Sequence, residues 1–300
     1  MNRFIIDGFN LLYRSHYAFQ KFSTSTGLLS GGVYGFFTTL RALRNRFLNF
    51  KFYVVWDNNP IKKKEAFSEY KANRDHFRVN LPTIDMKLAL QYLNIIQVEC
   101  PGEEGDDVIA TLVQSNDGKD FIYSNDKDLQ QLVVDGHIII ISPKVGVTPE
   151  KFYDEEAIKL KWGVGPKDLA CLFAFKGDTS DNIPGTSVPT KILAPLTMKY
   201  KSPEMVYGSL AAEKLTDFQR QALLSNKNQV IINYSLISLK KDLPCVYNNG
   251  KSSPEKLKEF FEKYEIKALS PESFVALFDA ETEFLHRSSP SLKTVSLFDD

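Results

Sequence analysis

Five short apolar runs punctuate the first half of the chain: Phe4-Ile5-Ile6, Phe52-Tyr53-Val54-Val55, Ile95-Ile96-Gln97-Val98, Phe121-Ile122-Tyr123 and Ile138-Ile139-Ile140-Ile141. They are continuous rather than alternating, as expected of strands covered on both faces. Between them the pattern predicts helices around residues 34–49, 82–93, 105–115 and 127–134, which make connections long enough for right-handed crossovers. A doubly wound, mostly parallel α/β sheet is the fold class that buries such strands. After Ser142-Pro143 the strand signals fade, and Pro149–Trp162, Pro166–Phe175 and Asp217–Tyr234 read as helices. A smaller, mainly helical second domain is expected to begin between residues 145 and 165, with the Ser/Pro-rich residues 286–300 as a tail.

Composition narrows the class only a little. The 300 residues are 43% hydrophobic and 25% charged, with 37 basic side chains balancing 37 acidic ones, so electrostatic function must come from where the charges sit. Cys100, Cys171 and Cys245 are far apart and odd in number, which excludes a disulfide framework or cysteine-rich zinc module and suits a reducing compartment. The opening MNRFIIDGFNLLY lacks the plan of a signal peptide, and no stretch reaches a membrane span of roughly 20 apolar residues. A cytoplasmic monomer with no membrane partner is expected. His16, His76, His137 and His286 have no metal-ligand spacing, and Ser30-Gly31-Gly32-Val33-Tyr34-Gly35 matches neither a phosphate loop nor a dinucleotide fingerprint.

The acids are placed more tellingly. In an open parallel sheet, ligands bind beyond the carboxyl ends of the strands at the switch in strand order. Asp7 follows the first strand, Asp57 the second, Glu104-Gly105-Asp106-Asp107 the third, and Asp126 and Asp128 the fourth. Asp178 and Asp181 in KGDTSDNIPG come from the second domain. Any one of these could be a helix-capping or first-turn acid. Together they would repel and raise one another's pKa unless cations neutralise them, a task suited to hard divalent ions with oxygen ligands.

The bases are segregated too. Between Arg41 and Arg78 ten basic residues face four acidic ones, net +6, whereas Glu99 to Asp128 carries nine acids against two lysines, net −7. Within the basic stretch Phe67, Tyr70 and Phe77 interleave with Lys71, Arg74 and Arg78, behind Lys62, Lys63 and Lys64. Cations that follow phosphates and rings that offer faces to bases suit single-stranded nucleic acid, and the segment is placed to overhang the acidic cleft as an arch near residues 60–82.

Taken in order, IIDGFNLLYRS, VVWDN, EYKANR, PGEEGDD, YSNDKDLQQL and KGDTSDNIPG resemble the 5′-nuclease family of flap endonucleases and 5′-3′ exonucleases over roughly residues 3–195. The resemblance implies a PIN-like nuclease domain with a helical arch over 1–160, and a helix-turn-helix-type duplex-binding domain over 161–285. By matched positions Asp57, Glu104, Asp106 and Asp107 form a first metal cluster with Asp7 beside it, and Asp126, Asp128, Asp178 and Asp181 form a second. Two Mg²⁺ or Mn²⁺ ions would straddle the scissile phosphate. Lys71 and Arg74 match the arch's basic pair at the reacting phosphate. Tyr13 and Arg14 match a segment near the DNA, and Lys62, Lys63, Lys64, Tyr70, Arg78 and Lys191 complete the expected DNA contacts.

The implied substrates are DNA flaps, nicks, branched DNA and RNA–DNA duplexes, cleaved to 5′-phosphates. One departure follows NIPG, where the family's VxGIGxKTA hairpin is replaced by Thr186-Ser187-Val188-Pro189-Thr190-Lys191. The hairpin glycines that allow close approach to a duplex phosphate, often with a potassium ion, are absent. The terminal Thr294-Val295-Ser296-Leu297-Phe298 resembles a sliding-clamp peptide, with Ser296, Leu297 and Phe298 as its contact residues. A junction binder that has lost catalysis would lack cleft acids, and a phosphotransfer phosphatase would need a second aspartate at Phe9. Neither condition is met.

Overall fold

The computed structural model describes residues 1–58, 61–72, 81–144, 146 and 148–286, with the side chains of Ile61, Lys62, Ala66 and residues 280–286 outside that description. Strand β1 (Arg3–Asp7) leads into α1 (Gly8–Ala18) and α2 (Gly31–Arg46), and β2 (Lys51–Val55) into α3 (Ile61–Ala66) and α4 (Thr83–Gln91). Then come β3 (Ile96–Glu99), α5 (Gly105–Val113), β4 (Asp120–Tyr123), a 3-10 turn over Asp128–Leu132, β5 (Ile138–Ser142) and β6 (Lys151–Tyr153). Helices α6 (Glu155–Trp162), α7 (Leu169–Lys176), α8 (Thr190–Tyr200), α9 (Pro203–Ser209), α10 (Asp217–Ser225) and α11 (Lys227–Ile237) precede β7 (Val246–Asn248), α12 (Pro254–Lys263) and α13 (Pro271–His286).

All five apolar runs become neighbouring parallel strands, in the order β5-β4-β1-β2-β3, and β6 and β7 close the two edges in antiparallel sense. From β1 the chain steps to β2 and β3 on one side, then crosses to β4 on the other, so the switch in strand order lies between β1 and β4. Among the described residues no helix is long and apolar enough to cross a membrane.

Each parallel strand divides its side chains between two cores, because alternate residues point to opposite faces. Phe4, Ile6, Phe52 and Val54 pack with Phe36, Phe37 and Leu40 of α2 and Met86 and Leu90 of α4. Ile5, Tyr53, Val55, Ile122 and Ile140 pack on the other face with Val108, Ile109 and Leu112 of α5.

Three helices expected from the sequence differ, the first of them around residues 127–134, where only the 3-10 turn Asp128–Leu132 forms. The segment read as helical from Pro149 begins as the edge strand β6, because the Asp154 carboxylate caps the backbone N–H of Ala157 and lets helix α6 start only at Glu155. Asp217–Tyr234 is two helices joined at Asn226, whose side-chain amide donates to the Ala222 carbonyl and finishes the first of them.

The stretch from 161 to 285 supplies both faces. Leu172, Phe175, Leu193, Val206 and Ile237 continue the core that contains Ile5, with no break between them and the sheet. Leu257, Phe260, Phe261, Phe274 and Phe278 of α12 and α13 join the opposite core, where Phe37 meets Phe260, Phe261 and Phe274 ring to ring.

At the end of the sheet away from the acids, Arg3 and Asp120 are register partners on β1 and β4. The guanidinium donates to both Asp120 oxygens, at 2.8 and 2.6 Å, and to the Leu112 carbonyl at 2.9 Å, and both residues are buried. This fork sets the register of the two strands that flank the switch point. Asp120→Ala leaves a buried guanidinium without its carboxylate, so urea unfolding should show a loss of about 3–5 kcal/mol.

Candidate metal centre

Every cleft acid leaves the carboxyl end of a parallel strand or the loop facing it. Asp7 ends β1 and caps α1, accepting from the Asn10 backbone N–H at 3.0 Å and from the Ser124 hydroxyl at 2.8 Å. The packing around it, and then the Asp57 charge, push its carboxyl up to about 7. Asp57, two residues beyond β2, accepts the Gly105 N–H at 2.6 Å. A Cβ on Gly105 would lie 2.5 Å from that same oxygen, so the close approach requires glycine.

Glu104, Asp106 and Asp107 gather at the start of α5, where the unpaired N–H groups of a helix favour negative charge. One oxygen of each lies within 4.8 Å of the others. Asp128, Asp178 and Asp181 form a second group of the same dimension. The two groups adjoin, since the charges of Asp126, Asp106 and Asp181 add to burial in pushing the Asp128 carboxyl well above its ordinary range. Asp126 sits between strand and turn, its backbone N–H bonded to the Ser124 hydroxyl at 3.0 Å and its carboxylate to the Asp128 N–H at 2.8 Å. Beside the second group a cleft of about 280 Å³ is lined by Asn10, Asn125, Asp126, Lys127, Asp178, Ser180 and Asp181.

Two lysines occupy the first group. The Lys63 ammonium lies 2.7 Å from Glu104 Oε2, 3.0 Å from Asp107 Oδ2 and 3.9 Å from Asp106 Oδ1. Lys71 reaches Glu104 Oε1 at 2.5 Å and Asp181 Oδ2 at 3.8 Å, and so bridges the two groups. Burial works to raise the Glu104 carboxyl, but these two ammoniums outweigh it and hold the group down at about 2. Lys71 has a left-handed backbone, φ 55°, and its N–H donates to the Asp181 carbonyl at 3.0 Å. Asn182, also left-handed, donates its side-chain amide to the Glu69 carbonyl at 2.9 Å. The base of the arch is thus pinned to the loop that carries Asp178 and Asp181.

These residues fit divalent cations. The donors are all carboxylate oxygens, the set preferred by hard ions. Asp128 Oδ1 is buried with no hydrogen-bond donor, and such an oxygen calls for a cation. In the first group the ammonium of Lys63 stands in for one.

The expected DNA contacts divide differently. Lys63 and Tyr70 turn inward, onto the acids. Lys63 is 6% exposed among the acids, and the buried Tyr70 hydroxyl donates to Glu104 Oε2 at 3.0 Å, because three clustered carboxylates attract every donor within reach. Tyr13 contacts Tyr17 at 4.8 Å between ring centroids and Phe9 at 6.4 Å, making an aromatic stripe along α1. Arg14 donates to the Lys144 carbonyl at 3.2 Å. Lys64 is half-buried on α3, and Lys191 is exposed in the first turn of α8. Arg74, Arg78, Ser296, Leu297, Phe298 and the Lys62 side chain lie outside the described residues.

Sequence reasoning passed over Ser124 and Lys127. Ser124 binds Asp7 and Asp126 together, and Lys127 meets Asp178 Oδ2 at 2.9 Å. Their position within SNDKD, between ligand candidates, was the available signal.

Gly105→Ala should displace Asp57 and weaken divalent-ion binding by roughly tenfold or more, with the circular dichroism spectrum unchanged. Asp7 yields a pH prediction for the metal-free protein. Its folded pKa of about 7 exceeds the ordinary 3.8, so the folded state holds a proton that the unfolded chain has released. Stability from this group therefore falls as pH rises from about 4 to about 7 and is level above that. Denaturant unfolding across this range should show the fall in wild type and a shallower one in Asp7→Asn.

Residues 2–163 match the family model described as the 5′-3′ exonuclease, N-terminal resolvase-like domain. The 5′-3′ exonuclease of Aquifex aeolicus is 34% identical over 283 residues, which cover 90% of this chain and 94% of that protein. DNA polymerase I of Pseudomonas aeruginosa is 35% identical over 256 residues, 80% of this chain but 27% of the polymerase. Among solved structures, the bacteriophage T5 flap endonuclease in a pseudo-enzyme-product complex with DNA and metal ions superposes with a TM-score of 0.63 at 18% identity, covering 94% of this chain and 100% of that one. The flap endonuclease of Methanococcus jannaschii gives a TM-score of 0.62 at 14% identity, covering 94% and 93%. With more than half its length matched by the family model and a full-length relative above 30% identity, this chain belongs to the 5′-3′ exonuclease family.

Proposed function

We propose that the protein is a structure-selective, divalent-metal-dependent 5′-3′ exonuclease and flap endonuclease. It hydrolyses phosphodiesters in DNA flaps, nicks or RNA primers and leaves 5′-phosphates. The observation that carries this reading is the pair of carboxylate groups, Glu104/Asp106/Asp107 and Asp128/Asp178/Asp181, adjoining at the switch point of a parallel sheet. Relatives named 5′-3′ exonuclease, and a structural neighbour crystallised with DNA and metal ions, support it.

In this reading Asp57, Glu104, Asp106 and Asp107, with Asp7 beside them, hold one Mg²⁺ or Mn²⁺. Asp126, Asp128, Asp178 and Asp181 hold the other. When bound, such a pair supplies Lewis-acid chemistry, lowering the pKa of an attacking water and neutralising the departing 3′ oxygen. The chain's own groups do the positioning. The Ser124 hydroxyl fixes Asp7 against Asp126, and the Gly105 N–H fixes Asp57. Lys71, between the two carboxylate groups, is placed to meet the charge that develops on the phosphoryl oxygens, with Arg74 as its partner.

Tyr13 and Arg14 on α1, beginning directly beyond Asp7, border the path of the strand. Exposed Lys191, with the helices of residues 161–285, grips the duplex through phosphates, so selection follows the shape of the junction rather than base identity. The segment Thr294–Phe298 would dock on a sliding clamp.

The test is cleavage of a 5′-labelled flap duplex and a nicked duplex with Mg²⁺ and with chelator, alongside Asp126→Asn. Metal-dependent cleavage at the junction is expected, reduced by more than about 100-fold in the variant, a loss larger than that of an outer-shell partner. Binding without cleavage under every divalent ion would overturn the assignment.

A further inference from the structure

The first carboxylate group is braced by a part of the chain far from it in sequence. Between α11 and β7, residues 238–245 form a strap on α5 and the loop before it: the Leu243 N–H donates to the Thr111 hydroxyl at 3.3 Å, and the Cys100 thiol to the Pro244 carbonyl at 3.7 Å. Within this strap Lys240 takes hold on both sides of Gly105. Its backbone N–H donates to Asp107 Oδ1 at 2.9 Å, and its ammonium pairs with the Glu103 carboxylate. Both acids are buried. Glu103 is tied in turn to the chain just beyond Asp57, since its carbonyl accepts the Asn58 N–H at 3.1 Å and the Asn58 carbonyl accepts the Gly102 N–H at 2.8 Å.

The bond to Oδ1 decides where the other oxygen of Asp107 points. A carboxylate turns readily about its last bond, and a donor fixed on one oxygen stops that rotation. Asp107 Oδ2 is left buried without a hydrogen-bond donor, facing the Lys63 ammonium at 3.0 Å. A buried ion pair such as Lys240–Glu103 adds little stability over an apolar pair, and its effect is to fix position.

We propose that Lys240 is a positioning residue for the first divalent ion. Its ammonium locks the strap onto Glu103, and its backbone N–H then holds Asp107 with Oδ2 turned toward the ion. The inference rests on the metal-dependent reading above and deepens it by adding a residue from beyond the stretch, 2–163, that the family model matches.

The experiment is calorimetric titration of the whole protein with Ca²⁺, in wild type and in an Asp128→Asn background that disables the second group and leaves the first to be read. In that background Lys240→Met should weaken Ca²⁺ binding by at least about tenfold, as loss of a group that orients a ligand does, whereas Lys240→Arg keeps the charge and stays within about threefold. Where Lys240→Met fails to fold because Glu103 has lost its partner, the double variant Glu103→Gln/Lys240→Met removes both charges and should show the same tenfold loss.

A measurement on wild type reads the contact directly. In protein labelled with ¹⁵N-lysine, the Lys240 amide signal, assigned by its absence in Lys240→Arg, should exchange slowly with solvent and shift as the first group fills. Unchanged Ca²⁺ affinity in the variants that lack the ammonium, or a Lys240 amide indifferent to Ca²⁺, would overturn the inference and leave the metal reading standing. Absence of Ca²⁺ binding in wild type would overturn both.

Discussion

Like charges do not gather on one edge of a sheet unless something holds them there. Each of the cleft acids would be less costly dispersed in water, and the local structure is arranged around keeping them together. The N-terminus of α5 receives Glu104, Asp106 and Asp107, backbone N–H groups take one oxygen each of Asp7, Asp57 and Asp126, and three lysines enter from loops and from the arch. The resulting potential draws in cations of any kind. That is the property a divalent-ion site requires and also the reason a lysine competes for it.

The sheet converts that local arrangement into geometry. Arg3 and Asp120 fix β1 against β4 at one end, and at the other end the same two strands deliver Asp7 and the Ser124–Asp126 loop. A slip of one residue would move Asp7 off the edge and turn Ile5 into the wrong core, so the buried fork and the two apolar faces specify the same register. The chemistry is carried by loops, and its precision comes from strands buried on both sides.

Much of this was legible in the residues. The five parallel strands announced themselves because strands covered on both faces must be apolar throughout, and the acids fell one after another at their ends. The edge strands β6 and β7 did not, since three residues half open to solvent need no apolar run. Lys63 and Tyr70 were read as nucleic-acid contacts because composition reveals charge and aromaticity without direction. Only the fold shows that α3 turns toward the acids instead of away from them. The packing of Phe260, Phe261 and Phe274 on Phe37 was equally silent, for an amphipathic helix does not say which apolar face it will cover.

That last packing bears on how the molecule comes into being. The match to the family model ends at residue 163, yet the core on the α2 side of the sheet is completed by α12 and α13, far along the chain. Until they arrive, α2 presents Phe37 and its neighbours to water, and β3 has an open edge that β7 later pairs. Native contacts of such long sequence separation slow folding and postpone it until α12 and α13 have been made. The stretch matched by the family model and the unit that closes the core are therefore different lengths of the same chain, and a fragment cut at residue 163 would carry most of the acids but an uncovered core.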